Sequence, residues 1–305
     1  MKTRLTLALI FTALLARAAE PVLAPGTKVL VDLPFLAAGR AEKLDVYLPA
    51  PPAAGKLSPA VVWIHGGGFT GGTKAEARAK EFCTTLANAG YVALNIDYRL
   101  SEGAWPTNLH DCKNAVRFLR THAAEYRVDP ERIGVAGGSA GGSLALLVGF
   151  TAGMKELEPD APYPGVSSAV RCVIDMYGIT DLRTRREIEA DGTVGDKFRP
   201  LGPVSVFGAP DNLAVYRLAS PVSHVGKKSP PVLILHGDKD TTVDLRQSQD
   251  LAAVLAKAGG VHELVIMPGA GHTFDLETWN KKPLARDLRP VALAFLEKHL
   301  ALKSK

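Results

Sequence analysis

The chain has 305 residues, of which 47% are apolar and 22% are charged, as is ordinary for a globular protein with a sizeable core. These values exclude a disordered or fibrous protein. Lys and Arg number 36 against 31 Asp and Glu, a formal net charge of +5. The basic residues are scattered, with no run longer than two and no interleaved aromatic residues, so no nucleic-acid partner is expected. The length fits one large domain or two small ones.

The first residues, Met1–Ala18, have the three-part pattern of a secretory signal peptide. The basic residues Lys2 and Arg4 precede the apolar stretch Leu5–Ala16, which ends in an Ala-Arg-Ala cleavage pattern. This stretch is about 12 residues long, short of the roughly 20 that a membrane-spanning helix needs, so cleavage near Ala18 is favoured over an uncleaved anchor. We therefore expect an exported protein, periplasmic or extracellular, with no stable membrane span.

Three cysteines, Cys83, Cys112 and Cys172, lie far apart in apolar segments. Their spacing contains no Cys-x-x-Cys pair, which argues against a zinc site or thioredoxin-type chemistry. Export permits one disulfide, and the sequence does not choose among the three pairings. Buried free thiols that pack as small apolar side chains are the favoured interpretation.

From residue 28 onward, apolar runs of strand length alternate with segments of helical periodicity. The predicted strands are 29–33, 44–48, 60–64, 92–96, 132–136, 170–176, 231–235 and 263–267. The predicted helices are 75–89, 109–124, 140–151, 245–257 and 283–300. The first two strands would pair antiparallel, and the uninterrupted apolar runs indicate strands with helices on both faces. The class is therefore α/β, with a mostly parallel eight-stranded sheet flanked by helices.

Residues 177–230 interrupt this alternation. They are rich in Gly, Pro and charged residues, and only 211–219 has the pattern of a short helix. A connection of this length inside a compact domain is typical of a lid or a binding insertion. We therefore predict one domain over 19–305 with a cap or lid insertion at 177–230.

A Gly-x-Ser-x-Gly motif centred on Ser139 lies between a predicted strand and a helix of small residues. In that context the serine occupies a tight turn and projects above the sheet as a nucleophile. The backbone N–H of Ala140, at the start of the helix, can then face a developing oxyanion.

Three consecutive glycines follow the predicted strand 60–64 in the motif His65–Phe69. Glycine leaves the backbone unhindered, so the amides of Gly67 and Gly68 can turn towards a substrate carbonyl oxygen. A flexible loop without function is the alternative, which the position after a strand and before the serine motif disfavours.

A nucleophilic serine needs a base that is oriented by a carboxylate. Asp240 and His272 each come just after a predicted strand, at the sheet edge where α/β proteins build their sites. Asp238 is the alternative acid, but its place next to the strand end is typical of a turn residue, so Asp240 is favoured. The chain order Ser139, Asp240, His272 is that of the α/β-hydrolases.

Other histidines are less suited to act as the base. His65 and His236 precede glycines at strand ends, where hydrogen bonds that brace a loop are expected. The other five lie on predicted helices, on a strand or in the insertion, without a glycine-flanked loop: His110, His122, His224, His262 and His299. His272 has such a loop and is therefore favoured as the base.

Six motifs together resemble those of the α/β-hydrolase esterases. The closest resemblance is to bacterial carboxylesterases grouped with bifunctional feruloyl and acetyl xylan esterases, near the hormone-sensitive lipase-like group. The motifs are at 65–69, 97–99, 137–142, 175–182, 236–240 and 269–272, and the resemblance covers about 28–300.

This resemblance implies the same triad and the same oxyanion amides that the residues themselves suggest. It also has limits, because only about 45 mature residues precede the glycine motif, too few for the N-terminal helical cap of hormone-sensitive lipase-like enzymes. Phe69 stands where feruloyl and acetyl esterases often have Trp. Asp97, Arg99 and Asp181 are interpreted as loop-bracing ion pairs.

The expected activity is hydrolysis of short-acyl or aromatic-acyl esters, including acetyl or feruloyl esters of plant polysaccharide, through an acyl-enzyme. No metal or organic cofactor is needed, and the expected partner is a small-molecule or glycan-linked ester. Phe69 and Trp105, and also Trp279, are candidates to stack on a substrate or to anchor a loop. The alternatives are a prolyl-oligopeptidase-type peptidase and a non-catalytic binding module. The sequence assigns no oligomeric state.

Overall fold

The structure is a computed structural model that describes residues 22–301, except 54, 185, 189–193, 199–203 and 209–211. The side chains at 186–188, 194–198 and 204 are also outside the description. The expected export signal at 1–18 therefore lies outside the described residues, as does part of the insertion at 177–230.

Within the described residues, eight strands form one sheet. These strands are β1 (Lys28–Leu33), β2 (Leu44–Leu48), β3 (Ser58–Ile64), β4 (Val92–Ile96), β5 (Val128–Gly138), β6 (Val173–Met176), β9 (Val232–Gly237) and β10 (His262–Met267). Two short antiparallel ladders lie apart from this sheet: β7 (Arg186–Ile188) with β8 (Val194–Phe198), and β11 (Thr278–Trp279) with β12 (Lys282–Pro283). The main sheet has the order β1-β2-β4-β3-β5-β6-β9-β10. In this sheet β2 alone runs opposite to the other seven strands, so the predicted fold class is confirmed.

Helices cover both faces of the sheet. They are α1 (Ala77–Asn88), α2 (Thr107–Thr121), α3 (Ala123–Tyr126), α4 (Ala140–Phe150), α5 (Val204–Phe207), α6 (Leu213–Leu218), α7 (Arg246–Lys257) and α8 (Arg289–Leu300). Helices α2, α4 and α7 contribute to one buried apolar cluster and α1 and α8 to the other. Along β3, Val62 packs into the first cluster and Val61 and Trp63 into the second. This two-sided burial explains why β3 lacks apolar–polar alternation.

The last helix differs from its prediction. It begins at Arg289, with Pro290 in its first turn, and not at residue 283. The preceding residues instead form the β11–β12 ladder, in which Leu284 N donates to Glu277 O at 2.7 Å. Asn280 and Lys281 make the turn with positive φ angles of 50° and 62°.

Part of the predicted insertion is described. The predicted helix at 211–219 is present as α6, and the additional elements are β7, β8 and α5. Helix α5 is held against the loop before α2, because Gly103 N donates to Ser205 O at 2.7 Å.

The three cysteines are buried and free, as the sequence favoured. Burial raises the pKa of each thiol above its ordinary value. No helix among the described residues is both long and apolar enough to cross a bilayer.

Candidate active site

Ser139 occupies a sharp turn between β5 and α4. Its backbone angles, φ 56° and ψ −123°, are ones that a residue with a side chain rarely adopts. Two hydrogen bonds fix the turn: Ser139 N donates to Met176 O at 2.9 Å, and Ser143 N donates to Ser139 O at 3.1 Å. The strained backbone presents the serine hydroxyl at the carboxyl edge of the sheet.

The turn requires glycine where α4 approaches β3. A Cβ atom at Gly141 would collide with the carbonyl oxygens of Ile64 and His65. The small residue therefore lets the nucleophile and the glycine loop that follows β3 lie side by side.

The three predicted catalytic side chains form one hydrogen-bonded chain. His272 Nε2 lies 2.9 Å from Ser139 Oγ, and His272 Nδ1 lies 2.7 Å from Asp240 Oδ2. They follow β5, β9 and β10, which lie in the same half of the sheet. The carboxyl ends of these parallel strands share one side of the sheet, so the three side chains can meet there. The alternative acid, Asp238, faces elsewhere and accepts a hydrogen bond from Gly269 N at 2.7 Å.

Asp240 is held as a carboxylate. Burial would raise its pKa, but hydrogen bonds from His236 and His272 and from the Val243 amide bring the pKa well below its ordinary value. Its Oδ1 accepts from the amides of Thr242 and Val243 at 2.8 and 2.9 Å. A negative charge beside His272 Nδ1 fixes the tautomer in which Nε2 can accept a proton from serine.

The glycine loop can serve as the oxyanion hole. Gly67 and Gly68 have φ angles of 117° and 62°, which favour glycine. Neither amide donates a hydrogen bond to any other described residue, which leaves both N–H groups for a ligand. The N–H of Ala140, the first residue of α4, has no acceptor within the helix.

These groups surround a cleft of about 600 Å³. Ser139, His272, Gly67 and Gly68 line one part of it, and the first turn of α1 lines another with Glu76 and Arg78. Sequence reasoning missed Glu76 and Arg78, because no pattern around the start of α1 indicates that it lies beside the cleft of Ser139.

Phe69 and Trp105 do not line this cleft in the described structure. Phe69 is only 2% exposed, and its ring centroid lies 5.1 Å from that of Phe207 in α5. Trp105 also packs against Phe207, with ring centroids 5.7 Å apart. Both rings therefore contact α5, which fits the loop-anchor role that the sequence also allowed, and stacking on a substrate stays a prediction.

Two aromatic residues hold the His272 loop in place. Trp279 Nε1 donates to His272 O at 3.2 Å. The Tyr177 ring packs edge-on at 5.0 Å from the His272 ring, and its hydroxyl donates to Phe274 O at 2.8 Å. Sequence reasoning missed the role of Tyr177, which depends on a contact between residues about one hundred positions apart.

The three residues interpreted as loop-bracing ion pairs separate into two groups. Arg99 pairs with Glu42 at 3.4 Å and Asp181 with Arg183 at 2.9 Å. Asp97 instead accepts hydrogen bonds from uncharged donors, the Lys74 amide at 2.9 Å and the Thr73 hydroxyl at 3.2 Å.

Asp175, near the end of β6, is a buried carboxyl group whose Oδ2 has no hydrogen-bond partner among the described residues. Burial raises its pKa to about 7, against the lowering effects of His236 and of the Gly178 amide. The folded chain therefore keeps a proton that the unfolded chain, with a carboxyl pKa of 3.8, releases.

This difference predicts a pH-dependent stability. A proton held only in the folded state makes the free energy of unfolding fall by roughly 1.4 kcal/mol per pH unit as the pH rises between the two pKa values. We expect wild type to lose stability relative to Asp175→Asn between about pH 4 and pH 7, measured by urea unfolding at several pH values. Parallel stability curves for the two proteins would contradict the prediction.

A serine, a histidine and an aspartate joined by hydrogen bonds at the edge of a doubly covered parallel sheet place the protein among the α/β-hydrolases. The BD-FAE family matches residues 44–255, and the protein belongs to this family. The matched segment contains Ser139 and Asp240, and His272 comes after it.

Several known proteins to which the chain is similar are esterases. It is 30% identical over 249 residues to the esterase LipQ of Mycobacterium tuberculosis, covering 80% of this chain and 57% of LipQ. The chain thus spans less than three fifths of that relative. The structure of Thermogutta terrifontis esterase 2 phosphorylated by paraoxon superposes with a TM-score of 0.69 at 28% identity, covering 92% of this chain and 97% of that one. An acetyl ester-xyloside bifunctional hydrolase from Caldicellulosiruptor lactoaceticus gives a TM-score of 0.62 at 29% identity, covering 77% and 80%.

Proposed function

We propose that the protein is an exported serine carboxylesterase that hydrolyses short-acyl or aromatic-acyl esters, including acetyl or feruloyl esters of plant polysaccharide. The observation that carries the proposal is the unbroken chain of hydrogen bonds from Ser139 Oγ through His272 to Asp240. It lies at a cleft lined by Gly67 and Gly68, whose amides donate to no other residue that the structure describes.

The reaction proceeds in two steps. His272 Nε2 takes the proton of Ser139 while Oγ attacks the ester carbonyl carbon, and the oxyanion is held by amides of the glycine loop and Ala140. His272 then gives the proton to the leaving alcohol, and an acyl-enzyme remains. In the second step His272 deprotonates a water molecule, which attacks the acyl carbon. The bond between that carbon and Ser139 Oγ then breaks, the carboxylic acid leaves, and His272 returns the proton to Oγ.

The cleft has mostly apolar walls into which two charged side chains project, so it suits an ester that joins an apolar acyl group to a polar alcohol. Glu76 and Arg78 place opposite charges on the wall beside Ser139, and such groups suit the hydroxyls of a sugar. The likeness to the acetyl ester-xyloside hydrolase supports a glycan-linked ester as substrate. The signal-like segment at 1–18 supports export, which fractionation of cells producing the full chain would test.

One substrate panel tests the activity. It contains nitrophenyl esters of short and long acyl chains, methyl ferulate, acetylated xylan and a proline-containing peptide amide. We expect hydrolysis of the short esters and of at least one of methyl ferulate and acetylated xylan, with a steep fall beyond short acyl chains. Cleavage of the peptide alone would contradict an esterase and favour a peptidase, and no turnover of any substrate would favour a binding module.

A further inference from the structure

His236 is a buried histidine that the mechanism above does not use. It stands next to the end of β9, in the sheet core, and none of its surface is exposed. Its Nδ1 lies 2.7 Å from Ser248 Oγ in α7. On the other side of the ring, Nε2 lies 3.0 Å from Val243 O and 3.3 Å from Asp240 Oδ2.

These partners determine where the ring carries its proton. A backbone carbonyl and an ionised carboxylate can only accept hydrogen bonds, so Nε2 must be the protonated nitrogen. Nδ1 is then free to accept from the Ser248 hydroxyl. The single Nε2–H is shared between Val243 O and Asp240 Oδ2, as a three-centre hydrogen bond.

We propose that His236 is a positioning residue for the catalytic acid, an inference that rests on the proposed function. His236 Nε2–H approaches the same oxygen, Asp240 Oδ2, that faces His272 Nδ1. The amides of Thr242 and Val243 fix only the other oxygen. His236 therefore restrains rotation of the carboxylate on the side where the His272 tautomer is set.

His236 also holds the loop that carries the catalytic acid, from Asp240 to Val243. Val243 N donates to Asp240 Oδ1, and Val243 O accepts from His236 Nε2. The loop from Asp240 to Val243 is thus tied to β9 through one imidazole ring. A misplacement of the acid by even a fraction of an ångström weakens a catalytic hydrogen bond, so the ring acts on turnover without touching substrate.

Two amide variants test this role, because they differ mainly in reach. His236→Gln can place an N–H donor near the position of Nε2, towards Asp240. His236→Asn reaches only the position of Nδ1, towards Ser248. We expect His236→Asn to lower kcat roughly ten- to hundredfold with KM nearly unchanged, since one hydrogen bond to a charged group is lost. His236→Gln should recover most of the wild-type kcat.

Ser248→Ala is the matched control. It removes the hydrogen bond on the far side of the same ring and disturbs the same part of the core, but leaves the contact with Asp240. We expect it to lower thermal stability while keeping kcat within about twofold of wild type. The ¹H NMR resonance of the proton between His272 and Asp240 should move in His236→Asn and remain in place in Ser248→Ala.

The outcomes separate this proposal from the proposed function. If wild type hydrolyses esters and folded His236→Asn has the kcat and the resonance of wild type, His236 is only structural and the proposal is wrong. A parallel loss of kcat in all three variants would also overturn it. If wild type hydrolyses no ester, the proposed function fails, and the resonance alone then decides whether His236 positions the acid. If His236→Asn does not fold, His236→Phe replaces it as the variant without an N–H donor. A kcat of His236→Gln as low as that of His236→Phe then contradicts the proposal.

Discussion

Replacing Ser139 by alanine is expected to lower kcat on a short nitrophenyl ester by roughly 10⁴- to 10⁶-fold, because members of a catalytic triad act as a unit. The His272 ring would keep its hydrogen bond to Asp240 but would have no hydroxyl to activate. Phosphorylation of the protein by paraoxon, followed by mass spectrometry, should disappear in the same variant. KM should change little, since the cleft keeps its shape.

The matched control for this prediction is Ser167→Ala, which removes the hydroxyl of an exposed serine that does not line the cleft. It should have wild-type kcat and remain phosphorylated at Ser139. Retention of most activity in Ser139→Ala would show that another group is the nucleophile.

The second large loss of kcat is expected for Asp240→Asn. The amides of Thr242 and Val243 select the oxygen of the new side chain, so its NH₂ group faces His272 Nδ1. Two donors cannot share that contact, and His272 is driven to the tautomer whose Nε2 already carries a proton. We expect kcat to fall roughly 10³- to 10⁴-fold at neutral pH with little change in KM. Thermal stability should also fall, because the buried NH₂ group then meets N–H donors of both His272 and His236.

Asp238→Asn is the matched control, because it makes the same substitution at the alternative acid. Asp238 is exposed and its carboxylate accepts only from Gly269 N among the hydrogen bonds described, so its kcat should remain within a few-fold of wild type. A larger loss of kcat in Asp238→Asn than in Asp240→Asn would reverse the assignment of the acid.

The three catalytic residues of the candidate site could be predicted because each follows the end of a strand. The carboxyl ends of parallel strands lie at the same edge of the sheet, so Ser139, Asp240 and His272 are brought together there. This does not depend on how the helices pack. The structure brings all three within hydrogen-bond distance. The choice between Asp238 and Asp240 also followed from local position, because a residue beside the strand end has too little loop to turn back.

Other features depended on contacts that sequence patterns do not contain. An aromatic ring after a glycine run can face the cleft or the core, and only the position of Phe207 decides that Phe69 is buried. The β11–β12 ladder was missed because its turn, Asn280–Lys281, lacks the glycine that usually follows asparagine in such a hairpin. In the sequence, Pro283 therefore resembles the start of a helix.

Strand β10 lies at the edge of the sheet, so activity and fold are expected to be lost at different stages of denaturation. Ser139 stands on a turn fixed between central strands, whereas His272 depends on a strand with one neighbour in the described sheet. Edge elements open at lower free energy than central ones. Partial denaturation would then disconnect the base from a nucleophile still held in its turn, and ester hydrolysis would cease before the core unfolds.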